Sequence, residues 1–138
     1  MSRIVAIDYG LKRVGLAVTD ENRIIATALT TVQTRDIFNF LGQYLKNEHV
    51  GCIVVGDPKQ MNNQASETVN YIEPFIRKLK KMFPGLLVER YDERFTSKIA
   101  IRAMVEGGMK KKERKNKENI DKISAVLILQ SYMEFTGQ

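Results

Sequence analysis

Three acidic positions in this 138-residue chain have the types and settings that could hold a hard divalent cation. Asp8 follows the apolar run Ile4–Ile7 at the end of a segment rich in β-branched residues. Ligand and metal sites in open sheets form at such strand ends. Asp92 and Glu93 directly follow LLVERY, and because neighbouring residues in extended chain point opposite ways, only one of them need face a shared site. Asp121 precedes Ser124, Ala125, Ile128 and Tyr132 on one helical face, so small residues could bring an acid close to a sheet. Each acid also has a plainer local reading: a turn residue, a solvated strand end, and a charge that favours a helix N-terminus. Taken together, carboxylates on three elements suit Mg²⁺ or Mn²⁺, which prefer oxygen ligands and bind phosphate alongside them. Two such ions about 4 Å apart activate water and stabilise a leaving oxygen.

Cations lie close to these acids in sequence. Lys12 and Arg13 fall between Gly10 and Gly15, where glycine permits a tight turn and close approach of phosphate. Arg94 follows the second acidic cluster. Lys110, Lys111, Lys112, Arg114, Lys115 and Lys117 with the single acid Glu113 carry +5 of the chain's net +6. The local basic run points to a polyanionic partner, although a solvated loop has the same composition. One histidine, His49, and one cysteine, Cys52, leave no ligand set for structural zinc. His49 reads as a surface loop residue and Cys52 as a buried thiol. The lone thiol, the lack of a cleavable leader pattern and the absence of a long apolar run predict a cytoplasmic protein with no membrane span.

The elements that must position these groups follow from periodicity. Strands are expected over 3–9, 14–19 and 24–32, joined by short turns as an antiparallel meander. A helix over 35–46 precedes the continuous apolar run 50–55, which fits a buried parallel strand. A long helix over 65–82 contains Pro74, which predicts a kink or break near 70–73. A strand over 86–91, a helix over 97–106 and a final helix over 120–135 complete the order βββαβαβαα. The expected fold is α/β, a single RNase H-like domain over 1–138. Its mixed five-stranded sheet combines an antiparallel meander with parallel strands, flanked by helices. Actin-like ATPase domains share much of this connectivity, so topology alone does not assign function.

Four ordered segments carry a family likeness: DYGLKRVGLAV at 8–18, VVGDPKQMNNQASE at 54–67, YDERFTS at 91–97 and IDKISAVLILQSY at 120–132. The chain resembles, over essentially its whole length, the YqgF (RuvX) family of bacterial Holliday-junction resolvase-like proteins and pre-16S rRNA nucleases. The resemblance implies an RNase H-like fold with Asp8, Glu93 and Asp121 as catalytic metal ligands and Asp92 as a possible fourth. It places Lys12, Arg13, Arg94 and the basic run along a nucleic-acid path, and implies trimming of the 16S precursor 5′ end. Two departures stand out. Asp57 occupies a position that is commonly apolar in the family and is expected in a loop. The final helix reads DKISA, with Lys122 expected to face solvent.

The expected activity is metal-dependent phosphodiester hydrolysis, on structured RNA before junction DNA, by a monomer or homodimer. A Holliday-junction resolvase is the nearest alternative. A non-catalytic nucleic-acid-binding factor is another, which would bind in a salt-dependent way without turnover. A small ATPase is disfavoured by the absence of a P-loop pattern.

Overall fold

The computed structural model describes residues 2–57, 69–92 and 117–137, with the backbone alone for Asp57, 69–70 and 117–122. Strands β1 (Arg3–Tyr9), β2 (Arg13–Thr19), β3 (Ala26–Gln33), β4 (Val50–Asp57) and β5 (Leu87–Asp92) form one sheet in the order β3-β2-β1-β4-β5. β1 pairs antiparallel with β2, and β2 with β3; β1–β4 and β4–β5 are parallel. Helices α1 (Ile37–Asn47) and α2 (Val69–Met82) cover one face, and α3 (Lys117–Thr136) covers the other.

Period-two alternation sorts the strand residues between two cores. Val5, Ile7, Ile53 and Val55 pack with Ile37, Leu41, Ile72, Phe75 and Leu79 beneath α1 and α2. Ile4, Ala6, Ala17, Cys52 and Val54 pack with Ala125, Ile128, Leu129 and Tyr132 beneath α3. Because both faces of β1 and β4 are covered, these strands are apolar throughout instead of alternating. The small side chains of Ala6, Ala17 and Ala125, all fully buried, let α3 lie close to the sheet.

Several boundaries differ from the periodicity. β3 begins at Ala26, because one Asp20 carboxylate oxygen accepts the N–H groups of Ile24 (2.7 Å) and Ile25 (2.8 Å) and holds both in the turn. Arg23 in that turn has φ 58°, an uncommon setting for a side-chain-bearing residue. α1 begins at Ile37, after a 3₁₀ turn over Thr34–Asp36. Asp57 is the last residue of β4, paired with Asp92, and not a loop residue. α2 runs through Pro74 without the expected break. α3 starts at Lys117, which therefore belongs to the helix and not to the preceding basic segment. The helix expected over 97–106 lies outside the described residues.

Candidate active site

Asp8 sits one residue past the Ile7↔Val55 pair, at the carboxyl edge of β1. Its parity is that of Ile4 and Ala6, so it belongs to the face that α3 covers. The next residue, Tyr9, takes the opposite face and stacks on Phe75 of α2, with ring centroids 4.4 Å apart. Burial pushes the Tyr9 phenol above its ordinary range, with the nearby Tyr71 phenol adding to the effect. This aromatic clamp pins the end of β1 from behind, while Asp8 remains half-exposed in front.

The neighbours of Asp8 leave space around it. Across β2 its partner is Gly15, whose own partner on β3 is Thr31. On the other side, Gly56 of β4 pairs with Tyr91 of β5. Glycines therefore flank the carboxylate on both sides along this row, and Asp8 and Thr31 stand about 10 Å apart on one face with Gly15 between them in the ladder.

Tyr91 fastens β5 to α3. Its hydroxyl shares a 2.6 Å hydrogen bond with Ser131, and its ring meets Tyr132 edge-on with centroids 6.1 Å apart. Tyr132 in turn donates to Glu89, and burial together with that carboxylate raises its phenol far above the usual range. Glu89 and Tyr91 thus face α3. Arg90, on the other parity, pairs with Glu73 of α2. By the same alternation Asp92 takes the parity of Arg90, whereas Asp8 takes that of Ala6, so strand parity alone does not put these two acids on one face.

The other expected site residues are described in part or not at all. Asp121 lies in the second turn of α3 with its backbone alone described, and Glu93, Arg94 and 110–116 lie outside the described residues. Among the described residues no group of three His, Cys, Asp or Glu side chains could hold a metal. His49 is exposed at the amino edge, six strand residues or about 20 Å from the row of Asp8. Cys52 is buried, and that burial pushes its thiol up.

Beside the acid lies a cleft of about 490 Å³ between the β1–β2 turn and the end of β3. Lys12 and Arg13 line it as the sequence suggested, together with Thr31, Gln33, Thr34 and Arg35, which the sequence did not single out. The missing signal was the meander register, Arg13↔Gln33 and Gly15↔Thr31, which brings the end of β3 beside the turn. Gly10 makes that turn possible, since a Cβ there would lie 2.5 Å from the Arg13 carbonyl oxygen.

With this geometry in view, comparison with known proteins is decisive for the family. The family model RuvX, described as Holliday junction resolvase, matches residues 2–135. The chain belongs to the RuvX family. A relative from Bacteroides thetaiotaomicron, named "Putative pre-16S rRNA nuclease", is 59% identical over 134 residues, covering 97% of each chain. A relative from Christiangramia forsetii with the same name is 50% identical over 133 residues, covering 96% of this chain and 98% of its own. Among solved structures, Thermus thermophilus RuvC in complex with Holliday junction substrate superposes with a TM-score of 0.57, 15% identity and 97% coverage of both chains. A second Thermus thermophilus RuvC structure gives a TM-score of 0.53. At that identity the likeness establishes the RNase H-like fold of this RuvX member.

Proposed function

We propose that this RuvX member is a metal-dependent endonuclease that hydrolyses phosphodiester bonds in structured RNA and trims the 5′ end of the 16S rRNA precursor. The observation that carries the reading is the setting of Asp8. It is a half-exposed carboxylate at the carboxyl edge, flanked by side-chain-free positions, with Lys12 and Arg13 on the adjoining turn. The names of its relatives favour the RNA substrate.

Asp8, Glu93 and Asp121 would hold Mg²⁺ or Mn²⁺, and their hard oxygen donors suit those ions. The chemistry supplied by the bound ions is activation of water and neutralisation of the leaving oxygen. Asp8 fixes the reaction centre at the sheet edge, and the glycines beside it leave room for a sugar-phosphate backbone. Lys12, Arg13, Arg94, the basic segment 110–116 and Lys117 at the start of α3 draw the polyanion in and hold its phosphates. The sole histidine, at the opposite edge, takes no part in proton transfer. The working unit is a cytoplasmic single domain acting as a monomer or homodimer.

A second reading, cleavage of four-way DNA junctions, is favoured by the fold shared with junction-bound RuvC. Both are tested by incubating a labelled 16S precursor 5′ end and a labelled four-way junction with wild type and Asp8→Asn in Mg²⁺, Mn²⁺ or EDTA. Metal-dependent cutting of the RNA that Asp8→Asn abolishes is the expected result, and preferential cutting of the junction would install the second reading. Binding without cutting under every metal would replace both with a non-catalytic factor.

A further inference from the structure

We propose that the cleft beside the β1–β2 turn is a dedicated seat for a backbone phosphate of the nucleic-acid substrate. The seated phosphate lies within a few nucleotides of the bond that is cut, and Arg35 is its distinguishing cation. This inference rests on the nucleic-acid reading of the site and extends it to residues that lie away from the acids.

Four observations converge. First, Lys12, Arg13 and Arg35 all line the cleft, and no carboxylate among the described residues does. Among the described residues neither Lys12 nor Arg35 has an ion-pair partner, and both are exposed. Second, the exposed side-chain amide of Gln33 lines the cleft as well, a donor that can bond a phosphate oxygen. Third, the cleft is rigid. The Thr34 N–H donates to the Lys12 carbonyl at 3.0 Å, and its hydroxyl donates to the Gly10 carbonyl at 2.7 Å, tying the two walls together. A preformed anion seat loses little freedom when it is filled.

Fourth, the distance fits. Thr31 shares the row and face of Asp8, with only Gly15 between them. Two strand spacings make about 10 Å, a span that a few nucleotides of sugar-phosphate backbone can bridge. A backbone lying on the glycine lane with one phosphate at Asp8 would set another in the cleft. The seat thus contributes grip and register, and Arg35 is a positioning residue with no contact to the reacting atoms.

The test separates binding from chemistry. Affinity for a labelled hairpin RNA with a single-stranded 5′ tail is measured by fluorescence polarisation in EDTA across a salt series, and single-turnover cleavage is measured at saturation in Mg²⁺. Arg35→Ala is expected to weaken binding about fivefold and to lower the salt slope by about one, with the saturated rate unchanged within about twofold. Arg35→Lys should restore the slope. Lys46→Ala, an exposed cation near the other end of α1, should leave both quantities at wild-type values. Wild-type affinity and slope in a folded Arg35→Ala protein would overturn the proposal, as would an equal loss in Lys46→Ala. If wild type cuts nothing but Arg35→Ala still loses affinity and slope, the seat stands and the nuclease reading falls.

Discussion

The two ends of the sheet are built for different purposes. At the amino edge, polar side chains serve the chain itself. Arg3 reaches Glu48 at 3.2 Å and the Thr19 carbonyl at 3.0 Å, while the buried Thr19 hydroxyl accepts the Ile4 N–H at 2.9 Å where the β1–β4 register slips. Arg23 donates to the backbone and the hydroxyl of Ser2, and even the glycine there is filled around: a Cβ on Gly51 would lie 2.3 Å from the Ser2 hydroxyl oxygen. At the carboxyl edge, Gly15 and Gly56 flank Asp8, and exposed cations sit on an open cleft. The contrast teaches that the amino edge commits its polar groups to the fold, whereas the carboxyl edge combines fold-holding contacts with exposed cations.

The sharpest way to break that comparison is Asp8→Asn. It should lower metal-dependent cleavage at least ~100-fold while leaving the thermal midpoint within a few degrees of wild type, as followed by circular dichroism. A midpoint that collapsed with the activity would make Asp8 structural as well. Gly10→Ala, which forces a methyl against the Arg13 carbonyl, should cost about 2–3 kcal/mol in urea unfolding and reduce RNA affinity by distorting the cleft. Thr19→Val is the mirror experiment. It keeps the shape but leaves the Ile4 N–H without its acceptor, so it should cost about 1–2 kcal/mol and leave the cleavage rate at 25 °C unchanged.

The smallest effect concerns acid. Backbone N–H groups of Ile25 and Ile24 hold the Asp20 carboxyl below its ordinary value of 3.8. A group depressed on folding contributes stability above its unfolded pKa and loses it as pH falls through the folded value. Asp20→Asn should therefore cost a little stability at neutral pH and make the profile slightly shallower below about pH 4, where the wild-type contribution is lost. An unchanged acid limb would show that the turn is held by the backbone alone.

Much of the architecture was legible because it is written in periodicity. The apolar runs Ile4–Ile7 and Cys52–Val55 demand burial on both faces, and the spacing of Ile72, Phe75, Ile76 and Leu79 defines one side of α2. Boundaries were less legible wherever a side chain captured the backbone, as Asp20 does at the start of β3 and Thr34 does before α1. At the site, Asp8 and the Lys12–Arg13 turn stand out locally. Thr31, Gln33 and Arg35 do not, because their place beside the acid comes from strand pairing between residues some twenty positions apart. No local pattern records that pairing.

The burial of Cys52 gives the protein an internal clock. The thiol is only 3% exposed, on a central strand of the sheet, and its raised pKa keeps it in the unreactive protonated form at neutral pH. An alkylating reagent can reach it only when β4 and α3 part, so the rate of labelling counts opening events of the α3-covered core. Ligands that bind the folded chain should slow that clock in proportion to their occupancy, and RNA, DNA and metal ions could then be ranked as partners without any catalytic assay.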